Sequence, residues 1–176
     1  MTEAKLPEPW LRGTLAEVPA VGRAVLHALQ AAQEDLTKWC GAFDKQQLNA
    51  RPNGVASVAF HIRHIARSID RLLTYAEGRQ LDEKQMARLR TELDPGASPE
   101  ELFQELYRSI AKAEMQIRIL AGSDLATSRV VGRKELPTTL AGLLVHVADH
   151  TQRHVGQAIA TAKFILASPA DSTDSD

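Results

Sequence analysis

The chain has 176 residues, which suits one domain with a continuous apolar core, so we expect a single domain. Its 21 basic and 22 acidic residues are spread along the sequence and leave a formal net charge of -1, which argues against a surface for nucleic acid or an anionic membrane. Aromatic residues make up only 5% of the chain, and alternating runs of Val, Ile and Thr are scarce, so the composition predicts an all-α protein.

The N-terminal stretch MTEAKLPEPW carries acids and prolines where a secretory signal needs a basic start and an apolar run. No segment reaches the roughly 18 uninterrupted apolar residues of a membrane-spanning helix. We therefore expect a soluble, cytoplasmic protein. The one cysteine, Cys40, cannot form a disulfide within the chain, and its place beside Trp39 near a helix end is typical of a small buried hydrophobic residue.

Prolines and glycines divide the chain, because a proline inside a helix loses a hydrogen bond and clashes with the preceding turn. Apolar residues recur near helical spacing between Pro19 and Gly41, which predicts a first helix there. Residues 44–54 contain Asn, Pro and Gly and indicate a loop. An apolar helical stripe then begins at Val58 and lasts until Gly78, which predicts the second helix.

The third helix is predicted to begin after Ser98, since this serine can cap it, Pro99 fits the first helical position and Glu101 completes a capping box. Its apolar stripe extends to about Gly122. The fourth helix is predicted to be long, opening at Pro137 and ending near Ala167.

Polar stretches connect these helices. Residues 79–97 are predicted to form a connection with a short helix around Asp82 to Glu92, before a turn at Asp94-Pro95-Gly96. A second polar connection precedes the fourth helix. The tail, residues 169–176, is acidic and rich in small residues, so we expect it to be disordered. Residues 1–168 are then the folded domain.

Histidines carry the main chemical signal, because five of the six lie in two short stretches. The second helix holds His61 and His64, and the fourth holds His146, His150 and His154. Residues four apart share one face of a helix, so His150 and His154 can direct their imidazoles at a single ion. The row overlaps the apolar stripe of the fourth helix, which predicts that these rings point into the bundle.

Buried imidazoles need partners, since a buried donor or acceptor left without one costs roughly 1–3 kcal/mol. A divalent cation satisfies several rings at once, and three protein ligands leave a position for water or substrate, as in catalytic zinc sites. The third ligand must come from another helix, where His61 and His64 compete. Helical periodicity places His61 nearer the apolar stripe and His64 on its flank, so it slightly favours His61 and leaves both open.

Several segments resemble the DinB/YfiT-like family. Residues 57–73 are similar to the family's second helix, in which the histidine of a His-Ile-Ala stretch is a metal ligand. Residues 150–157 resemble its last helix, where two ligand histidines four apart are followed closely by Gly-Gln. The opening Glu8-Pro9-Trp10-Leu11-Arg12-Gly13 and the Arg51-Pro52 loop are also similar, in the same order. His-Val-Gly-Gln replaces the commoner His-Arg-Gly-Gln, which removes a positive charge beside the site.

The resemblance implies a four-helix bundle of the up-down-down-up type with longer connections. It also implies that His64, His150 and His154 bind one divalent metal ion, with zinc or nickel favoured. Because family members include thiol-transferring enzymes and resemble metal-dependent hydrolases, we expect a thiol (S-)transferase or a hydrolase that acts on a small molecule. No catalytic side chain is assigned. Relatives often pair, so a homodimer is expected.

Two other functions compete with the enzyme. The first is a metal-binding or stress-response protein without turnover, because no residue is a clear general base. The second is a DNA-interacting factor, suggested only by the family's association with DNA damage, and the balanced charge argues against it.

The neighbours of the expected ligands have predicted roles of their own. We expect His61 and His146 to border the metal site, and His27 to be structural or exposed. Asp149 and Gln157 are the candidates to orient an imidazole, because metal-bound histidines usually donate their other N–H to a polar partner. The second helix also has a basic edge that we interpret as a solvated face, formed by Arg63, Arg67 and Arg71.

Overall fold

The structure is a computed structural model that describes residues 6–167. The α-helices of this part of the chain are α1 (Ala20–Cys40), α2 (Lys45–Asn49), α3 (Val58–Ala76), α4 (Glu83–Arg90), α5 (Pro99–Leu120) and α6 (Leu140–Ala167). An antiparallel hairpin consists of β1 (Ser128–Val131) and β2 (Leu136–Thr139), and short 3-10 turns lie at Pro9–Leu11 and Pro52–Gly54. The four long helices confirm the predicted all-α four-helix bundle.

The long helices pack in the order α1, α6, α3, α5, so α3 lies between α6 and α5. Helix α5 runs parallel to α3, because Asp70 of α3 accepts from Lys112, and Glu77, just past the end of α3, accepts from Gln116. A chain that continues into a parallel neighbour must first return along the bundle. The connection that contains α4 makes this return, which gives the expected down-down step of an up-down-down-up bundle.

The core lies between the long helices and is aliphatic. Each helix contributes the residues of one stripe, as the sequence periodicity predicts. The largest side chains that are fully buried in these helices are Leu29, Leu36, Ile62, Ile65, Ile69, Leu73, Leu102, Leu106, Ile117, Leu140 and Leu144.

Side-chain caps define where several helices begin. Ser57 accepts from the backbone N–H of Phe60 at the start of α3. Ser98 and Glu101 form the predicted capping box of α5. Asp82 forms another capping box and starts α4, which confirms a short helix in the first polar connection.

The predicted start of the fourth helix is wrong. Pro137 does not open it but lies in β2, paired with Val130 of β1. A proline is compatible with a two-stranded edge because its missing N–H need not face the partner strand. Helix α6 begins at Leu140, after Thr139, whose Oγ1 accepts from the backbone N–H of Gly142.

The predicted loop over residues 44–54 is also partly wrong, because it contains helix α2. Asp44 and Gln47 form a capping box, and Leu48 buries its side chain completely in the core.

Two other predictions concern the burial of Cys40 and the C-terminal tail. Cys40 is fully buried, as expected, and this burial raises its pKa to about 11. The predicted disordered tail lies outside the described residues.

Candidate metal centre

Histidines of α3 and α6 meet where the two helices face each other. Nε2 of His64 lies 2.8 Å from Nε2 of His150, and Nδ1 of His61 lies 3.0 Å from Nδ1 of His154. The later residue of α3 therefore meets the earlier residue of α6. This arrangement shows that the two helices run antiparallel and that one face of each carries the histidines.

Three of these rings form a cluster. His64, His150 and His154 each offer one nitrogen, and these nitrogens all lie within 4.8 Å of one another. The ring centroids are 5.0 Å apart for His64 and His150, 4.3 Å for His64 and His154, and 4.6 Å for His150 and His154. All three side chains are half-buried. The structure thus brings together the three histidines that the family resemblance implies as ligands.

The donor set of the histidine cluster fits a divalent ion. Nitrogens bound to one tetrahedral ion at about 2.0–2.1 Å stand roughly 3.3 Å apart. The cluster nitrogens lie near this separation, since Nε2 of His64 is 2.8 Å from Nε2 of His150 and all three ligand nitrogens lie within 4.8 Å of one another. Imidazole ligands suit zinc, nickel, copper and iron. The ring chemistry therefore selects transition metals over calcium or magnesium, which take oxygen ligands.

The protonation state of the cluster also suits metal binding. Burial, followed by the neighbouring His154 and His64, lowers the pKa of His150 to about 4. Burial and the neighbouring His64 likewise lower the pKa of His154 to about 4. Both rings are thus neutral at pH 7, and a neutral imidazole keeps the lone pair that a metal ligand requires.

The family model of the DinB superfamily matches residues 28–158, which is most of the chain and includes the histidines of α3 and α6. The chain belongs to the DinB superfamily. Among solved structures, it is similar to YfiT from Bacillus subtilis, described as a probable metal-dependent hydrolase with an unusual four-helix bundle topology. The TM-score is 0.62 at 17% identity, over 84% of this chain and 89% of that chain. The likeness to YfiT is one of fold. A search of curated proteins gives no match.

In this DinB-superfamily chain, His61 lies outside the cluster of three. Its side chain is buried, and burial followed by the neighbouring His154 and His64 lowers its pKa to about 4. Periodicity correctly indicates that His61 is the more buried ring. Its Nδ1 faces Nδ1 of His154, so one of these two nitrogens donates to the other and His61 restrains the His154 ring.

His146 also lies outside the cluster. Its exposed ring stands 5.3 Å from that of His150, and its Nδ1 is 3.8 Å from Oδ2 of Asp149. Asp149 pairs with Arg153 at 2.7 Å, and Gln157 is exposed. The predicted role of Asp149 and Gln157 in orienting a ligand imidazole is therefore wrong. Both point to the solvated side of α6.

The residue that contacts the far side of His64 is Glu92, in the connection after α4. Its Oε2 accepts from Nδ1–H of His64 at 2.7 Å, and its Oε1 accepts from Arg71. Burial alone would raise the pKa of Glu92, but the hydrogen bonds from His64 and Arg71 hold it below its ordinary value. Sequence analysis missed Glu92 because an acid in a polar connection is usually solvated.

The basic edge of α3 is not the solvated face that the sequence suggested. Nη1 of Arg63, which is buried, donates to the carbonyls of Asp94 at 2.5 Å and Glu92 at 3.1 Å. Arg67 donates to Glu105 at 2.9 Å and to backbone at the end of α4. These arginines fasten the α4–α5 connection to α3.

Phe60 closes one side of the cluster. Its ring stacks on that of His64, with centroids 5.3 Å apart and planes inclined by 22°. It also meets the rings of His61 and His154 edge-on, at 5.1 and 6.2 Å. An aromatic face beside the histidines limits water on that side of the site.

Proposed function

We propose that this chain is a metal-dependent enzyme in which His64, His150 and His154 bind one divalent ion, zinc or nickel. The observation that carries the proposal is the convergence of three ring nitrogens within 4.8 Å on two packed helices. Three protein ligands leave one tetrahedral position for water or substrate, as in catalytic zinc sites. Membership of the DinB superfamily and a fold shared with a probable metal-dependent hydrolase support the proposal.

The reaction class that we propose is thiol (S-)transfer or hydrolysis on a small electrophilic molecule. A divalent ion bound by three imidazoles lowers the pKa of a bound water to about 7 or deprotonates a coordinating thiol. The neighbouring residues of the protein orient the histidines of the cluster. His61 restrains the ring of His154, Glu92 contacts the far side of His64, and Phe60 presents an apolar wall to the site.

A turnover assay tests the proposal. Metal-free protein is loaded with zinc or with nickel and incubated with activated esters and with epoxides, each with and without cysteine or glutathione. We expect metal-dependent product that disappears in His154→Ala and persists in His146→Ala, whose ring is exposed one turn away from the cluster. Thiol adducts would identify a transferase, and thiol-independent cleavage a hydrolase.

The same assay defines the alternative. If the loaded protein forms no more product than His154→Ala on every substrate, the enzyme proposal fails and a non-catalytic metal-binding protein is favoured.

The homodimer expected from the resemblance stays a prediction. Light scattering of the purified protein tests it, with the mass of two chains expected.

A further inference from the structure

The α4–α5 connection supplies a carboxylate to the histidine cluster from outside the two helices that carry it. Glu92 is 5% exposed, although it lies in a polar segment after a short surface helix. We propose that Glu92, held by Arg71, is a positioning residue that keeps His64 in the Nδ1–H tautomer with the Nε2 lone pair directed into the cluster. Its effect on metal affinity rests on the proposed function, but the tautomer does not.

The tautomer follows from the hydrogen bond. An ionised carboxylate only accepts, so the 2.7 Å contact from Nδ1 of His64 to Oε2 of Glu92 requires the proton on Nδ1. A neutral imidazole then keeps its lone pair on Nε2. This Nε2 lies 2.8 Å from His150, on the side where the cluster nitrogens converge.

Glu92 is itself held at three points by α3, the helix that carries His64. Its Oε2 accepts from His64 and its Oε1 from Arg71, so both carboxylate oxygens are engaged. The Glu92 and Arg71 side chains are only 6% and 12% exposed. Nη1 of Arg63 donates to the backbone carbonyl of Glu92 at 3.1 Å. The carboxylate therefore has little freedom to leave His64.

The three cluster histidines differ in their partners. His154 contacts His61, a neutral ring that can donate or accept. Among the interactions of residues 6–167, a carboxylate hydrogen bond to a cluster histidine occurs at His64 alone. A carboxylate on the outer nitrogen raises the basicity of a ligand imidazole and fixes its orientation. We therefore infer that His64 is the most firmly oriented of the three cluster histidines.

A structural role is the competing explanation, in which Glu92 merely fastens the connection to α3. Glu105 provides a matched control, because it is also a carboxylate paired with an arginine of α3, at a half-buried position. Its Oε1 lies 2.9 Å from Nε of Arg67, and its side chain is 17% exposed. Its described bonds go to Arg67 and Arg88, not to a histidine. Glu105→Gln weakens an arginine pair without touching the cluster.

The first measurement needs no metal. In the metal-free parent, nitrogen-15 shifts of the His64 ring should show a proton on Nδ1. In Glu92→Gln, Arg71 donates to the amide oxygen and the amide NH2 then faces Nδ1, so the shifts should move toward the Nε2–H tautomer. Glu105→Gln should keep the parental shifts. An Nε2–H tautomer in the parent, or an unchanged tautomer in Glu92→Gln, would overturn the proposal even if the protein binds metal.

The second measurement is zinc affinity by competition with a chromogenic chelator, together with the visible spectrum of the cobalt-loaded protein. Glu92→Gln should weaken zinc binding by about 10–100-fold and alter the cobalt spectrum, and Glu105→Gln should do neither. Arg71→Met should weaken binding in the parent but add little in the Glu92→Gln background, because both act through one bond.

Equal affinity in the parent and in folded Glu92→Gln would contradict the positioning role. An equal loss in Glu105→Gln would also contradict it, since that result indicates a general effect of loosening the connection. A parent that binds no metal would instead refute the proposed function, and the ring shifts would still decide the tautomer.

Discussion

Helix α3 presents two polar edges that differ in what they meet. The histidine edge, His61 and His64, faces α6 and meets the rings of two histidines there. The arginine edge, consisting of Arg63, Arg67 and Arg71, meets the irregular connection around α4 and the start of α5. The same helix also carries a fully buried apolar stripe that includes Ile62, Ile65 and Ile69.

The difference between the edges shows which contacts helical geometry determines. Residues three and four positions apart lie on the same face of a helix. The contacts between the histidine edge and α6 therefore depend only on the regular spacing of residues along the two helices. The arginine edge meets backbone carbonyls and carboxylates whose positions depend on how the chain turns after α4. The two edges come together at His64, whose ring contacts His150 on one side and Glu92 on the other.

The largest effect should come from breaking the stripe that supports both edges. Ile65 is fully buried on α3, and Ile65→Ala should lower the free energy of unfolding by about 2–5 kcal/mol, because it leaves a cavity. Urea denaturation measures the change. Ile119→Ala, at a position 75% exposed on α5, is the control. An equal effect of the two substitutions would contradict the packing described here.

The next largest effect should come from the arginine edge. Arg63→Met keeps the aliphatic stem but removes the charged donor to the carbonyls of Glu92 and Asp94, so we expect a loss of about 2 kcal/mol in unfolding free energy. Hydrogen exchange should accelerate in residues 88–94. Arg90→Met, at an exposed position on α4, should change neither quantity. Unchanged exchange in Arg63→Met would show that Arg63 does not fasten the connection.

The histidine edge can be weakened without removing one of the three proposed ligands. His61→Leu fills the buried position but removes the polar partner of His154, so zinc affinity should fall about 10-fold, near 1.4 kcal/mol. Chelator competition measures the affinity, with His146→Ala as the control that keeps it. Complete loss of zinc from folded His61→Leu would indicate that His61 is itself a ligand.

The smallest effect should come from the pair at the middle of the arginine edge, Arg67 with Glu105. Glu105→Gln weakens a half-buried pair with Arg67 and should cost about 0.2–1 kcal/mol of unfolding free energy, less at high salt because the charges are screened. Thermal unfolding at low and high salt measures this loss. A loss that does not depend on salt would show that the pair is not electrostatic in origin.

Much of the bundle could be predicted from the sequence because its signals are local. Apolar spacing indicates the long helices, and the Ser98 capping box sets the start of α5. The start of α6 was missed because Pro137 suits either a helix start or an edge strand. The pairing of Pro137 with Val130 in the hairpin distinguishes the two, and the pattern of this polar connection did not indicate a hairpin.

The candidate site could be predicted only in part. Spacing on one helix brings His150 and His154 together, but it does not choose between His61 and His64. Periodicity reports how deeply a residue is buried and not where its ring nitrogens point, so it favoured the more buried His61. Glu92 was not predictable at this level, because its burial depends on the turn after α4 and on Arg71.

Metal content of the purified protein tests the central claim most directly. Untagged protein prepared without a nickel column is analysed for metals beside folded His64→Ala, His150→Ala and His154→Ala, with His146→Ala as the control. We predict one equivalent of a transition metal in the parent and in the control, and its loss in all three ligand variants. A parent that carries no metal and takes up neither zinc nor nickel when these are added would contradict the account.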